Sequence, residues 1–297
     1  MSLDGIITAM ATPIGENETV SVEGVNALVE RLITNGIKGL FILGTNGEFF
    51  SLSDDEKVEY AKIVVEKAAG RVPVYVGTGG ISTKAVINLT KKMESIGISA
   101  VSIITPFLLS FSQDELYHHY EEISKNTKLP IILYNIPQNT NNNLEPETVS
   151  KLAKFPNIIG IKDSGGDLKQ LESYIELTKD DDFSVLVGSD SKILAALQLG
   201  ATGAVAATSN VLTKTDVGIY DNFLSGNIEE AKRLQESIDE YRRILKFSTV
   251  PSVLKYTLKQ IGIPVGTTFS PVCLNLSESE KSDIQNVLES YQTYEKF

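Results

Sequence analysis

The sequence predicts an α/β protein that folds as a (β/α)8 TIM barrel with a C-terminal three-helix extension. Short apolar runs recur eight times along the 297 residues, and each is followed by a polar break and a segment with helical spacing. The spacing between the starts of successive runs ranges from 19 residues, between Val185 and Ala204, to 34 residues, between Ile6 and Leu40. Such steps suit one parallel strand with one crossover helix. The runs lack polar alternation, as expected of strands that are covered on both faces.

The eight predicted strands coincide with the apolar runs, which are residues 6–9, 40–43, 74–76, 101–104, 131–133, 158–161, 185–187 and 204–207. An open, doubly wound sheet is the structural alternative. Such a sheet would usually carry a G-x-G-x-x-G turn after its first strand. Here that turn reads Thr12-Pro13-Ile14-Gly15, which favours the barrel.

Helix signals occupy the segments between the runs. Ser53 with Glu56, and Ser112 with Glu115, have the spacing of capping boxes, in which side chain and backbone satisfy each other at a helix start. Pro146 stands where the first turn of a helix tolerates proline. These signals predict helices after the second, fourth and fifth strands.

The pattern changes after the eighth run. Apolar residues at 231, 234, 238, 241 and 245 step by 3, 4, 3 and 4, which describes one face of a helix. Residues 253–261 and 284–291 form two further helical stretches. We therefore expect a catalytic barrel over residues 1–225 and a helical extension over residues 226–297.

Composition narrows the possible functions. Lys and Arg number 27 against 38 Asp and Glu, and the net charge of −11 argues against binding to nucleic acid or to anionic membrane surfaces. The one cysteine, Cys273, fits a reducing compartment. No apolar run approaches the roughly 20 residues that span a bilayer, and the N-terminus lacks the basic start of a signal peptide. These features predict a cytoplasmic protein.

Lys162 is the first candidate for chemistry, because active sites of such barrels lie at the carboxyl ends of the strands. It directly follows the sixth apolar run. Removal from water disfavours the ammonium form of a lysine, and the neutral amine condenses with a carbonyl to form a Schiff base. The alternative is a strand-end lysine that faces solvent and pairs with Asp163.

Other polar residues end neighbouring strands. Tyr134 ends the fifth strand and could relay protons, or it could be a core tyrosine with a satisfied hydroxyl. Thr45 and Asn46 follow Gly44 in a turn that offers donors for a carboxylate. Gly188 follows the seventh strand.

A metal site is not expected. The two histidines, His118 and His119, are adjacent on a predicted helix and cannot both face one ion, so we interpret them as a helix-surface pair. The same shortage of histidine disfavours Ser-His-Asp catalysis. We therefore expect no metal ion, and a lysine Schiff base needs no organic cofactor.

Three motifs together resemble the dihydrodipicolinate synthase / N-acetylneuraminate lyase family of pyruvate-dependent class I aldolases. They occur in the family's order and approximate spacing, and they are Gly44-Thr45-Asn46-Gly47-Glu48, Tyr134-Asn135-Ile136-Pro137 and Gly160-Ile161-Lys162-Asp163-Ser164. The resemblance implies that Lys162 forms an imine with pyruvate or another 2-oxo acid, which then reacts with an aldehyde. It also implies a homotetramer built from tight dimers.

The resemblance further implies roles for four site residues. Tyr134 would shuttle protons, and Thr45 would supply a relay hydroxyl. Asn46 would help to hold the pyruvate carboxylate, and the backbone carbonyl of Val205 would lie beside that pocket.

The chain departs from the family's synthases at two places. Asn139 stands where synthases have the arginine that binds the carboxylate of aspartate semialdehyde, and an amide cannot supply a charged fork. Thr105-Pro106 is followed by Phe107-Leu108-Leu109, without the relay tyrosine. Ile81 replaces the asparagine of lysine-inhibited synthases, so we expect no inhibition by lysine.

These departures lead us to expect cleavage or formation of a 2-keto-3-deoxy sugar acid. The Gly-Glu-Phe-Phe sequence after Asn46 resembles that branch of the family, and Asn139, Asn141, Asn142 and Asn143 could offer amides to a hydroxylated chain. The first alternative is a 4-hydroxy-tetrahydrodipicolinate synthase that condenses pyruvate with aspartate semialdehyde. The second is a non-catalytic barrel that binds a 2-oxo acid.

Overall fold

Eight parallel strands close into a barrel in a computed structural model that describes residues 3–297, apart from the side chain of Glu16. The strands follow chain order, and the last pairs with the first. Each lies within two residues of its predicted run, which confirms the barrel. The strands are β1 (Gly5–Ala9), β2 (Gly39–Ile42), β3 (Val74–Gly77), β4 (Ala100–Ile104), β5 (Ile131–Asn135), β6 (Ile158–Asp163), β7 (Ser184–Val187) and β8 (Gly203–Ala206).

Helices connect the strands and form the outer layer. The capping boxes are present, with Glu56 N–H to Ser53 Oγ at 3.3 Å and the same arrangement at Ser112 and Glu115. Pro146 occupies the first turn of its helix. The barrel helices are α1 (Val22–Thr34), α2 (Asp54–Ala68), α3 (Thr83–Met93), α4 (Gln113–Lys125), α5 (Pro137–Thr140), α6 (Pro146–Leu152), α7 (Leu168–Thr178), α8 (Ile193–Leu199) and α9 (Thr213–Leu224).

The strand alternation divides the buried side chains into two sets. One set fills the inside of the barrel, and the other lies between the barrel and its helices. Ile7, Phe41, Ile132 and Leu186 belong to the inner set. They fill the barrel below its carboxyl end, so the polar residues at that end pack against apolar side chains.

The predicted C-terminal extension is confirmed as three helices, α10 (Ile228–Ile244), α11 (Ser252–Gln260) and α12 (Glu278–Glu295). The last helix begins earlier than predicted because Ser277 and Glu280 form a third capping box. The Glu295 carboxylate accepts hydrogen bonds from the backbone N–H groups of Lys214 and Thr215, at 3.1 and 2.8 Å. These bonds attach the end of α12 to α9. The boundary between barrel and extension at residues 225/226 stays a prediction.

The interpretation of the histidines as a helix-surface pair is wrong for His119. His118 is exposed, whereas His119 is only 6% exposed and its Nδ1 lies 2.8 Å from Thr83 Oγ1. The reason is helical spacing, since position 119 lies three residues after Leu116 and four before Ile123, which are both buried. Burial lowers the pKa of His119 to about 4.

Within residues 3–297, no helix combines the length and apolar character that a membrane span requires.

Candidate active site

Lys162 lies inside the barrel at its carboxyl end. Its side chain is 4% exposed although it carries an amine. In the strand register Lys162 on β6 is paired with Tyr134 on β5, so the two side chains emerge from the same face at the same height. The structure therefore brings together the two residues that the sequence singled out first.

Aromatic rings surround the Lys162 amine. Its Nζ lies 4.1 Å from the centroid of the Tyr134 ring and 4.6 Å from that of Phe41. The two rings meet edge to face, with centroids 6.1 Å apart. Sequence reasoning missed Phe41, although its place in the second apolar run was a usable signal.

The alternative of a solvent-facing Lys162 paired with Asp163 is wrong. Successive residues of a strand point to opposite faces, so Asp163 points to the outer layer. There its carboxylate accepts a hydrogen bond from Asn135 Nδ2 at 2.8 Å. Burial raises the pKa of the Asp163 carboxyl, and the bond from Asn135 opposes that rise.

Two glycines leave room for this arrangement. A Cβ atom on Gly188 would clash with Ser164 Oγ and would lie 2.9 Å from Lys162 Cε. A Cβ atom on Gly44 would lie 2.8 Å from the ring of Phe41. Both predicted site glycines therefore act by giving clearance to the side chains around the amine.

Thr45 and Asn46 lie at the mouth of the barrel in the turn that follows β2. Within this turn the N–H of Gly47 donates to Gly44 O at 3.0 Å, and the N–H of Glu48 donates to Thr45 O at 3.1 Å. Both Thr45 and Asn46 are half-buried and line the same cavity as Lys162. Their hydroxyl and amide groups are suited to hold a carboxylate next to the amine.

This cavity has a volume of about 340 Å³ and opens over Lys162 and Tyr134. The predicted residues Gly188, Val205 and Asn139 also line it. Its lining residues come from β1, from the ends of β5 to β8, from the turn after β2 and from Val250 of the C-terminal extension. A cavity of this size accommodates a small 2-oxo acid with a second small substrate.

Asp190 is a cavity residue that sequence reasoning did not single out. Its carboxylate accepts a hydrogen bond from the N–H of Ala207 at 3.0 Å. Burial raises the pKa of the Asp190 carboxyl, whereas this bond and the charges of Arg242 and Lys162 oppose the rise. The position of Asp190, two residues after Gly188 at the carboxyl end of a predicted strand, could have identified it from the sequence.

Only one asparagine of the predicted group reaches the cavity. Asn139 is exposed at its mouth. The side chain of Asn142 is instead buried and donates to Pro106 O at 2.9 Å, and Asn143 bonds to Gln170 at 2.8 Å. The expectation that these further amides face a substrate is therefore wrong, because the loop uses them for its own backbone and its neighbours.

A second cavity of about 380 Å³ adjoins the first and shares Thr45 and Asn139 with it. It is mainly apolar and is lined by Phe49, Phe50, Ile104 and Phe107, together with Thr140. Across the part of the chain that the structure describes, no group of three or more His, Cys, Asp or Glu residues is arranged to hold a metal ion.

The fold and the site together define a barrel enzyme of the lysine Schiff-base class. The model of the Dihydrodipicolinate synthetase family matches residues 2–291. The chain belongs to this family, which confirms the predicted class of pyruvate-dependent lyases.

Known proteins resemble the chain over nearly its whole length. The 4-hydroxy-tetrahydrodipicolinate synthase 1 of Halalkalibacterium halodurans is 38% identical over 281 residues, or 95% of each chain. A dihydrodipicolinate synthase from Bacillus anthracis superposes with a TM-score of 0.93 at 34% identity, covering 98% of this chain and 99% of that one. The chloride-inhibited dihydrodipicolinate synthase from Acinetobacter baumannii, solved with pyruvate, superposes with a TM-score of 0.91 at 30% identity. The match covers 97% of this chain and 98% of that one.

Proposed function

We propose that this chain is a Schiff-base-forming synthase that joins pyruvate to aspartate semialdehyde, as a 4-hydroxy-tetrahydrodipicolinate synthase does. The single observation that carries the chemistry is the buried Lys162 amine, 4.1 Å from the ring of Tyr134. The choice of aldehyde rests on relatives that bear this synthase name at 34 to 38% identity. These comparisons favour the synthase over the sugar-acid aldolase that the sequence led us to expect.

The reaction begins at the keto carbon of pyruvate. Lys162 Nζ attacks this carbon, and loss of water leaves an iminium that withdraws electrons. The methyl carbon then loses a proton, and the resulting enamine adds to the aldehyde carbon, whose oxygen takes up a proton. Attack of water or of the semialdehyde's amino group on the iminium carbon then breaks the bond to Lys162, which releases the product and the free amine. Tyr134 and Thr45 move the protons, because both line the cavity that opens over the amine.

The carboxylate of pyruvate would lie against the turn that follows β2. Thr45 and Asn46 offer a hydroxyl and an amide, and Val205 of β8 lines the same cavity. Gly188 keeps the path of the lysine side chain open. No step of this scheme calls for a metal or an organic cofactor.

A 2-keto-3-deoxy sugar acid aldolase is the second candidate, and Asn139 favours it. Among the described residues that line the two cavities, the charged ones are Lys162 and Asp190. The carboxylate of aspartate semialdehyde therefore has no cationic partner at position 139, whereas the hydroxyl groups of a sugar acid match a neutral amide and a carboxylate.

Borohydride trapping tests the chemistry. Reduction in the presence of pyruvate should add a covalent mass at Lys162, and Lys162→Ala should abolish it. Lys169→Ala, which removes an exposed lysine of α7, is the matched control and should leave it unchanged. An adduct that persists in Lys162→Ala contradicts the proposal.

Turnover assays then separate the candidates. Condensation with aspartate semialdehyde supports the synthase, and cleavage of 2-keto-3-deoxy sugar acids supports the second candidate. A chain that is labelled yet turns over no aldehyde would instead be a non-catalytic barrel that binds a 2-oxo acid.

We also propose a cytoplasmic homotetramer assembled from dimers. Large apolar side chains are exposed near the second cavity, with Phe50 at 53% and Leu108 at 75%. A second copy of the chain would cover such side chains. The single cysteine, Cys273, fits a reducing compartment. Sedimentation velocity should give the mass of four chains, and a monomer at micromolar concentration would contradict the assembly.

A further inference from the structure

A buried ion pair lies behind the turn that carries Thr45 and Asn46. Glu48 ends this turn and Lys255 belongs to α11, and their side chains are 0% and 1% exposed. The pair thus joins the carboxyl end of β2 to the C-terminal extension.

Further bonds extend this contact on the side of the extension. Glu48 Oε1 accepts the N–H of Phe269 at 2.9 Å, and Lys255 Nζ donates to Thr267 O at 2.8 Å. The segment that follows α11 is therefore bound to both members of the pair. Burial lowers the pKa of the Lys255 amine, and the neighbouring Glu48 carboxylate opposes that change.

The turn is held from the barrel side as well. Thr12 Oγ1 donates to Gly47 O at 2.7 Å, and Glu48 N–H donates to Thr45 O at 3.1 Å. Glu48 has a left-handed backbone, with φ of 51°, a conformation that a residue other than glycine keeps only where its surroundings fix it. A shift of Glu48 would therefore be transmitted directly to Thr45.

Stability alone is a weak reason for such a pair. Removing two charges from water is unfavourable, and well-packed apolar residues often stabilise a fold equally well. An ion pair differs from apolar packing in that it fixes direction and distance. The feature that the Glu48–Lys255 pair fixes is the turn that faces the Schiff-base lysine.

We propose that Glu48 and Lys255 are positioning residues that hold Thr45 and Asn46 in the geometry that binds the pyruvate carboxylate. The C-terminal extension would then contribute to pyruvate binding without touching the substrate. This inference rests on the proposed function, since it takes Thr45 and Asn46 as the residues that bind pyruvate.

The test is the double variant Glu48→Gln/Lys255→Met, which removes both charges and keeps similar shapes. A misplacement of about 1 Å in a site typically lowers catalysis about a hundredfold, so we expect the KM for pyruvate to rise at least about tenfold. The matched control is Arg243→Met/Asp283→Asn, which neutralises a 2.7 Å ion pair between α10 and α12. It should keep the KM of the wild type. A folded Glu48→Gln/Lys255→Met protein that also keeps this KM overturns the positioning role.

A second measurement distinguishes positioning from a purely structural role. Thr45→Val should raise KM strongly in the wild type and only weakly in the double variant, because both changes act through the same turn. Independent, additive effects would overturn the proposal. Should the double variant not fold, Lys255→Arg keeps the charge but changes its reach, and it should raise KM while the protein still unfolds cooperatively. An unchanged KM in that variant counts against the proposal equally.

Trapping separates this inference from the proposed function. A wild-type chain that pyruvate and borohydride fail to label overturns both. A labelled wild type whose variants keep normal pyruvate kinetics overturns the positioning role alone.

Discussion

Gly188→Ala tests whether clearance around Lys162 controls the chemistry. The added Cβ would clash with Ser164 Oγ and would also lie 2.9 Å from Lys162 Cε and 3.1 Å from Ser164 Cβ, so each contact is shorter than an ordinary one. Restoring a contact of about 3.4 Å requires the lysine side chain to move by roughly 0.5 Å or more, since it is more mobile than the backbone. A misplacement of about 1 Å costs about a hundredfold in rate. We therefore expect the rate of borohydride-trapped adduct formation to fall about ten- to a hundredfold.

The stability of this variant should change much less than its activity. Overpacking of a well-filled site destabilises a fold by about 1–3 kcal/mol, which a 297-residue chain should tolerate. Gly80→Ala is the matched control, because its Cβ would meet no atom closer than Val86 Cγ2 at 3.7 Å. Intact-mass measurement over time gives the trapping rate, and thermal unfolding reports the fold. A folded Gly188→Ala protein that is labelled as fast as the control would refute the steric argument.

The other predictions concern proton transfer, pH and the aldehyde. Tyr134→Phe keeps the ring beside Lys162 but removes the hydroxyl, so kcat should fall about 10²- to 10⁴-fold; steady-state kinetics within threefold of the wild type would exclude a proton-relay role. His119 has its pKa lowered from 6.5 to about 4 by burial, so the stability linked to its neutral form is present above pH 6.5 and is lost as the pH falls towards 4. That loss amounts to about 3 kcal/mol; in urea unfolding between pH 4 and 8 it should disappear in His119→Gln and remain in the exposed control His118→Gln. If the synthase proposal holds, Asn139→Arg should lower the KM for aspartate semialdehyde about tenfold through a charged hydrogen bond; an unchanged KM would show that the carboxylate is bound elsewhere.

The sequence predicted the barrel well because its signal is local and repeated. Each strand is a short apolar run, and each run recurs after a length of chain that holds one helix. The capping box at Ser53 marks a helix start through residues only three positions apart. Local patterns of this kind do not depend on distant parts of the chain. The predicted strand limits therefore agree with the observed ones within two residues.

The site was predicted less completely, because side-chain direction depends on the closed barrel. Lys162 and Asp163 are neighbours, and the two-residue period requires them to face opposite sides. The sequence does not show which of them faces inwards. The closed barrel decides this, since Lys162 pairs with Tyr134, which belongs to the inner set, whereas Asp163 pairs with Asn135. The same register makes Asp163 part of a buried network outside the barrel.

The asparagine-rich loop shows a second limit of sequence reasoning. An amide has the same chemistry whether it binds a substrate or a backbone carbonyl, and composition does not distinguish the two uses. Asn142 donates to the carbonyls of Pro106 and Leu109, which belong to the loop after β4. Asn139, three residues earlier, instead lies at the cavity. The difference arises because the loop after β4 packs against the asparagine-rich loop. This packing uses the amide of Asn142 and leaves that of Asn139 at the cavity.

The C-terminal extension illustrates the same limit over a longer distance. By sequence it is a separate unit, because the strand–helix repeat stops before residue 226. In the structure Val250 lines the cavity of Lys162, and Lys255 pairs with Glu48 behind the turn that carries Thr45 and Asn46. Neither contact has a local signal, since the partners lie on opposite parts of the chain. The end of the strand–helix repeat therefore marks where the barrel is complete. The surroundings of the Lys162 amine, however, also include residues of the extension that follows.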